Sequence, residues 1–212
     1  MLCRIGLYYE NQHHTSGHLT FFHTDFRDKI ELSDSFFTPA GDEVRQYENI
    51  GRARIYGFEL GTRFSLGKNL TPSINETFLL SRILSGPKAS SPLHSTPKHA
   101  LNLQLDWTPH PDTDIWFQGQ YRTGVYRTQQ APGLPSTYSP FFLADLGMTQ
   151  KLPHGLSLHL AINNLFDRDF DRRTTAGGIS YPCYYDDPDS DGRAGGAYLS
   201  RRSYWLGLSY DF

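Results

Sequence analysis

Near its carboxyl end the chain alternates apolar and polar residues one by one. Tyr204, Leu206, Leu208, Tyr210 and Phe212 take one phase, and Ser203, Trp205, Gly207, Ser209 and Asp211 the other. A period of two is that of an extended strand whose two faces meet different solvents. The alternation recurs where Leu101, Leu103, Leu105 and Trp107 interleave with Asn102, Gln104 and Asp106. It recurs again where Leu156, Leu158, Leu160 and Ile162 interleave with Ser157, His159, Ala161 and Asn163. Together with the turn residues between them, these patterns predict nine strands, at about 3–11, 17–31, 52–66, 70–83, 98–108, 113–124, 139–151, 155–166 and 198–212. The chain is expected to be all-β.

The connections between these strands alternate in length. Residues 11–17, 67–69, 109–112 and 152–154 are short and rich in Gly, Pro, Asn or His, whereas 32–51, 84–97, 125–138 and 167–197 are long. Tight turns on one rim and long loops on the other are the asymmetry of an antiparallel transmembrane β-barrel; a soluble sandwich can carry one or two long loops, but four in regular alternation with four tight turns favour the barrel. One phase would then face lipid and the other a wet or plugged lumen. Two places resist this reading. Glu76 falls on the apolar phase with Ile74, Phe78 and Leu80, so a bulge or a different phase is expected there. In the second strand Phe21, Phe22 and Phe26 occupy both phases.

Composition fits the same picture. Aromatic residues make up 14% of the chain while the hydrophobic fraction is only 38%, a balance that suits two-faced strands. No run approaches the roughly 18 apolar residues of a membrane helix, so any crossing would be made by strands of about ten. Net charge is −2, from 20 basic and 22 acidic residues, and no Lys/Arg cluster is interleaved with aromatics, so nucleic acid is not expected as a partner. Cys3 and Cys183 form neither a CxxC nor a zinc spacing. Met1-Leu2-Cys3-Arg4 does not read as the start of a signal peptide, so an exported chain is expected to be a portion of a longer one.

The aromatic end at Phe212 is preceded by Arg202-Ser203-Tyr204-Trp205, and one strand earlier stands Ile162-Asn163-Asn164-Leu165-Phe166-Asp167. In these features the chain resembles the carboxy-terminal portion of TonB-dependent outer-membrane receptors. Thr20-Phe21-Phe22-His23-Thr24-Asp25-Phe26 through Glu31 extends the resemblance, as do Tyr47-Glu48-Asn49-Ile50 followed by Tyr56-Gly57-Phe58-Glu59, and Thr96-Pro97-Lys98-His99-Ala100-Leu101-Asn102. It runs from about Ile5 onward and points to the ferric-catecholate and colicin I receptor branch. The fold it implies is a single partial domain over residues 1–212, about nine strands of a roughly 22-stranded barrel, with the plug domain absent.

The resemblance also implies a receptor in the Gram-negative cell outer membrane that takes up a ferric siderophore. Energy would come from TonB-ExbB-ExbD through an amino-terminal region that this chain lacks, without enzyme activity and without a cofactor, so the chain alone is expected not to transport. Further implied partners are outer-membrane lipid, lipopolysaccharide and the barrel-assembly machinery, the last reading the terminal strand at Tyr204, Leu206, Leu208, Tyr210 and Phe212. A barrel hydrolase, with Ser157 and His159 on one strand face, and a passive porin are the alternatives.

A ferric catecholate is flat, aromatic and anionic, so it calls for Arg to supply charge and Tyr to supply a stacking surface. The long loops carry Tyr126, Arg127, Arg172, Arg173, Tyr184 and Tyr185 as candidates, with Tyr138 and Tyr181 nearby. Glu59 and Arg122, on the polar phase, are expected to touch the plug or to form cross-strand pairs. Asp187-Pro188-Asp189-Ser190-Asp191-Gly192 matches the first half of a calcium loop, but Tyr198 stands where a bidentate Glu would close it. A calcium site at Asp187, Asp189 and Asp191 therefore stands beside a plain solvated acidic turn. His13 and His14 read as exposed turn residues.

Overall fold

Each alternating segment forms an extended strand that pairs antiparallel with the next. The computed structural model describes residues 1–12, 15–32, 36–37, 39, 43–44, 46–49, 51–86, 88–94, 96–127, 131–185 and 201–211. Its wall strands are β1 (Leu2–Glu10), β2 (Ser16–Phe26), β3 (Ala53–Arg63), β4 (Leu70–Ile83), β5 (His99–His110), β6 (Thr113–Thr123), β7 (Phe141–Lys151), β8 (Leu156–Asn163) and β9 (Ser203–Tyr210). They form one nine-stranded sheet in strict sequence order, an up-and-down meander with β1 and β9 as its edges. The tight turns lie at one rim and the long loops at the other.

All nine expected strands are present, and their ends move for local reasons. β2 stops at Phe26 because Asp28 takes a φ of 53°, a left-handed backbone that a strand does not accommodate. The chain then pairs again, Ile30–Leu32 with Tyr47–Asn49 and Phe36–Phe37 with Glu43–Val44, so the connection expected at 32–51 carries its own short ribbons. β8 stops at Asn163 because Asn164 takes a φ of 51°. β5 runs on to His110, which leaves a turn of Pro111 and Asp112 and a register shift between Thr113 and Ile115. The expected calcium ligands Asp187, Asp189 and Asp191, the terminal Phe212, and His13 and His14 lie outside the described residues.

Register carries one phase across the whole sheet. Ile5, Phe21, Phe58, Phe78 and His99 stand in one row. Their rings form a ladder, with centroids 6.4 Å apart for Phe21–Phe58, 5.4 Å for Phe58–Phe78 and 4.9 Å for Phe78–His99. At the far edge Leu158 faces Leu208, Leu160 faces Leu206 and Ile162 faces Tyr204. No second layer covers this apolar face in the described residues: Leu7 is 74% exposed, Leu206 70% and Leu208 67%.

The opposite face is polar, with rows such as Asn75–Asn102–Gln120 and Ser73–Gln104–Gln118–Asp145. On it the ring of His18 lies over Gly61 and that of Trp116 over Gly147, where a Cβ would collide with the ring. Phe22 and Phe26 belong to this face too, and Phe26 packs against Ala53, Ile83 and Leu93 at the long-loop rim. That apolar cluster explains why Phe26 takes the polar phase.

Glu76 corrects the expectation of a bulge or a phase error. It pairs opposite Leu60 and Leu101 in uninterrupted register, so it does stand on the apolar face. Its Oε1 lies 2.9 Å from His99 Nδ1, and its side chain is only 17% exposed. The carboxylate is thus accommodated by a partner one strand away. In hydrocarbon, removing one member of a desolvated pair strands the other, while replacing both by apolar groups is close to neutral. His99→Leu alone should therefore destabilise the assembled wall more than Glu76→Leu combined with His99→Leu, as measured by urea unfolding in lipid vesicles. A double variant less stable than His99→Leu would contradict this.

Candidate functional site: the loop rim

The long connections are tied together by one buried arginine. Arg127 is 3% exposed. Its backbone N–H donates to the Ser136 carbonyl at 2.9 Å. Its Nε donates to the Thr137 carbonyl at 3.3 Å and its Nη1 to the Pro182 carbonyl at 2.8 Å. Its guanidinium lies over the Tyr138 ring at 4.2 Å, and its own carbonyl oxygen is 2.7 Å from His94 Nδ1. Residues from three successive long loops thus converge on a single residue. Burial pulls the Arg127 pKa below the ordinary arginine value, against the opposing pull of Tyr138 and Cys183.

Two apolar clusters support this staple. Phe141 and Leu143, on the polar phase at the loop end of β7, pack with Phe170, Cys183 and Tyr184 from the last long loop. Phe170 stands 5.3 Å from Phe141 and 5.4 Å from Tyr184, and the Arg168 guanidinium covers Tyr184 at 5.2 Å. Leu134, Ala176 and Tyr181 form the second cluster. It seats a hairpin of Arg173–Ala176 and Ile179–Pro182 that turns through Gly177 and Gly178, whose φ angles are 57° and 81°.

The run Asn163-Asn164-Leu165-Phe166-Asp167 closes the end of β8. Asn164 is buried, its backbone N–H donates to Asp145 Oδ1 at 2.8 Å, and its side chain exchanges two 2.8 Å hydrogen bonds with the backbone of Arg168. Asp167 then clamps the far end of the same loop. It accepts from Arg201 Nε at 2.9 Å, from Arg201 Nη2 at 2.6 Å and from the Arg202 backbone N–H at 3.0 Å. The Arg201 guanidinium, and after it the Arg202 N–H, hold the Asp167 carboxyl well below the usual carboxylate range.

The structure divides the sequence candidates by role. Arg127 and Tyr184 are buried scaffold, Tyr126 stacks beside His94 at 5.4 Å, and Tyr185 lies 5.5 Å from Tyr138. Arg172 and Arg173 are the exposed cations of the set; Arg173 donates to Ser180 Oγ at 3.1 Å and to the Ser180 carbonyl at 3.3 Å. Glu59 and Arg122 stand apart on the polar wall face. Glu59 lies between Thr20 and Thr77, and Arg122 donates to the carbonyls of Leu101 and Tyr121 and to Asn102 Oδ1. His159 is bracketed by the Thr149 and Ser209 hydroxyls at 3.1 and 2.9 Å, with Ser157 beside neither ring nitrogen.

Sequence reasoning missed His94, Asp145 and Arg201. Asp145 falls in the strand expected at 139–151 and Arg201 in the one expected at 198–212, and nothing in the sequence marks the contacts either one makes.

A loop rim of this kind on an uncovered two-faced meander has clear relatives. The family described as TonB dependent receptor-like, beta-barrel, matches residues 5–165. The chain belongs to the TonB-dependent receptor family. A Pseudomonas aeruginosa ferric enterobactin receptor is 30% identical over 190 residues, which cover 82% of this chain and 25% of that protein. The iron-regulated outer membrane virulence protein of Vibrio cholerae is 26% identical over 216 residues, covering 98% of this chain and 30% of that protein. The TonB-dependent receptor chain thus spans between 25% and 30% of the length of these relatives. A variant of the P. aeruginosa ferric enterobactin receptor, solved in complex with enterobactin, shares the fold with a TM-score of 0.65 at 24% identity, over 100% of this chain and 31% of that one.

The Asp167 clamp makes the loop of this receptor chain sensitive to acid in one direction. A carboxyl held below its ordinary value of about 3.9 stabilises the closed loop fully above that pH. That contribution fades as pH falls toward the depressed value. Hydrogen exchange at the Arg202 amide should therefore stay protected from pH 7 down to about 4, and Asp167→Ala should speed it about tenfold across that range. Equal exchange in the two proteins would remove the clamp.

Proposed function

We propose that this chain supplies wall strands and ligand-recognising loops to an outer-membrane, TonB-dependent receptor for a ferric siderophore of the catecholate type. The observation that carries the reading is the loop rim itself. Arg172 and Arg173 are exposed on a rigid, aromatic-rich support at the rim of a membrane-type wall. A ferric catecholate is anionic and presents flat rings, which matches guanidinium charge beside tyrosine faces. The names of the relatives, ferric enterobactin receptor among them, agree with this cargo. The chain would act as a receptor and transporter component, with no chemistry performed on the ligand.

The wall face bearing Glu59 and Arg122 would meet the plug of the complete receptor, and TonB-ExbB-ExbD would act through that plug. Tyr204, Leu206, Leu208 and Tyr210 would be read by the barrel-assembly machinery. The backbone groups at the open edges of β1 and β9 cost several kcal/mol each if left in hydrocarbon, so the sheet would work only when further strands close it. The wall by itself would carry no ligand across.

The test uses the assembled receptor and equilibrium binding of a ferric catecholate at low and high salt. Arg172→Ala with Arg173→Ala should weaken binding about tenfold at low salt and less at high salt, because attraction between exposed charges is screened. Arg127→Ala should weaken binding to a similar degree at both salts, because it loosens the support rather than removing a surface charge. Unchanged affinity in the Arg172/Arg173 variant would take those residues out of the site, and ferric-siderophore uptake by residues 1–212 alone would overturn the need for further strands.

A further inference from the structure

At the long-loop rim the apolar face of the wall ends in a row of charges. Asp25, Arg54 and Arg82 stand directly opposite one another across β2, β3 and β4. They share the phase of His23, Tyr56 and Leu80 and, one row further, of Phe21, Phe58 and Phe78. At the same level the opposite phase holds Ala53, Ile83 and Phe26, packed with Leu93 and Ile55 in a buried cluster. The three charges are therefore turned outward, on the side of the uncovered phenylalanine ladder.

The row is not electrically balanced. Arg54 donates to both carboxylate oxygens of Asp25, from Nε at 2.7 Å and from Nη2 at 3.2 Å, so these two compensate each other. Arg82 is exposed and donates to the Ser90 hydroxyl at 3.1 Å, with no carboxylate beside it among the described residues. Like charges directly opposite on an antiparallel pair are destabilising, yet Arg82 faces Arg54. An anion in front of Arg82 would relieve this excess.

Depth says where that anion comes from. Two residues along a strand are about 7 Å, so Arg54 and Arg82 lie one such step beyond Tyr56 and Leu80. Aromatic girdles mark the membrane interface, and the next step outward is the headgroup layer.

We propose that Arg82, with Arg54 directly opposite it, binds the phosphate of an anionic lipid of the outer leaflet, whose acyl chains lie along the Phe21–Phe58–Phe78 ladder below. The guanidinium fork matches phosphate oxygens with paired N–H donors, which a single exposed serine does not replace. The ladder supplies the apolar contact that distinguishes a lipid from free phosphate. The proposal rests on the reading that the apolar face meets the outer membrane, and it assigns a lipid site distinct from the loops that take the cargo.

The test is native mass spectrometry of the assembled receptor in detergent, titrated with phosphorylated lipid A, with dephosphorylated lipid A and with inorganic phosphate. The wild type should hold phosphorylated lipid A about tenfold more tightly than the dephosphorylated form, and Arg82→Gln should abolish that preference. Millimolar inorganic phosphate should not displace the lipid. Equal retention of the two lipid forms by the wild type, an unchanged preference in Arg82→Gln, or full displacement by inorganic phosphate would each overturn the proposal. Arg82→Gln leaves the Arg54–Asp25 pair intact, and heat-modifiable gel mobility checks its assembly. If it does not assemble, the wild-type comparison of the two lipid forms decides alone. Ferric-catecholate binding measured on the same samples should be unaffected by Arg82→Gln, and loss of cargo binding in the wild type with the lipid preference intact would count against the functional reading only.

Discussion

A sheet with one apolar face and no layer packed against that face is stable only where hydrocarbon covers it, and this constraint organises the whole chain. Leucines such as Leu7, Leu206 and Leu208 are as exposed as surface residues usually are, yet they form continuous rows with Leu19, Leu60, Leu158 and Leu160. Within the sheet, the ladder satisfies the backbone groups of each strand between two neighbours, which is what a medium without water demands. The same demand explains why a polar side chain on that face appears with its own partner, as Glu76 does with His99. It also confines the buried apolar clusters to the loop rim, outside the membrane, where loops pack inward over the ends of the strands.

At that rim part of the charge is buried in structure and part stays exposed. Arg127 is surrounded by carbonyl oxygens and a tyrosine ring, contacts that suit the flat, forked guanidinium and that a lysine ammonium would not reproduce. Asp167 performs the matching task at the base of the last loop, holding Arg201 and the Arg202 amide. With the scaffold fixed at both places, Arg172 and Arg173 need not pay for ordering the loop that carries them.

The wall was legible because its information is local. A period of two over about ten residues, followed by Gly, Pro or Asn, locates a strand without knowledge of its neighbours, and all nine were found this way. Strand ends were less legible because Asp28 and Asn164 take left-handed backbones that only their surroundings impose, and neither is glycine. Glu76 looked like an error because its partner His99 lies 23 residues away on the next strand. Arg127 read as one more loop cation; its burial arises from Ser136, Thr137, Pro182 and His94, which meet only in the folded rim. The Asn164–Asp167 run stood out as a family fingerprint, and its physical meaning, a turn locked by Asp145 and a clamp on Arg201, is a property of the fold.

The most direct measurement of the central claim is a spin-label scan along β8, one position at a time, in the assembled receptor reconstituted into lipid bilayers. This strand is flanked on both sides by β7 and β9, so its faces are defined by its neighbours. Labels at 156, 158, 160 and 162 should collide with oxygen dissolved in the hydrocarbon and be shielded from a water-soluble nickel chelate, while labels at 157, 159, 161 and 163 should be shielded from oxygen. A uniform pattern, or the opposite phase, would contradict a wall whose apolar face meets lipid.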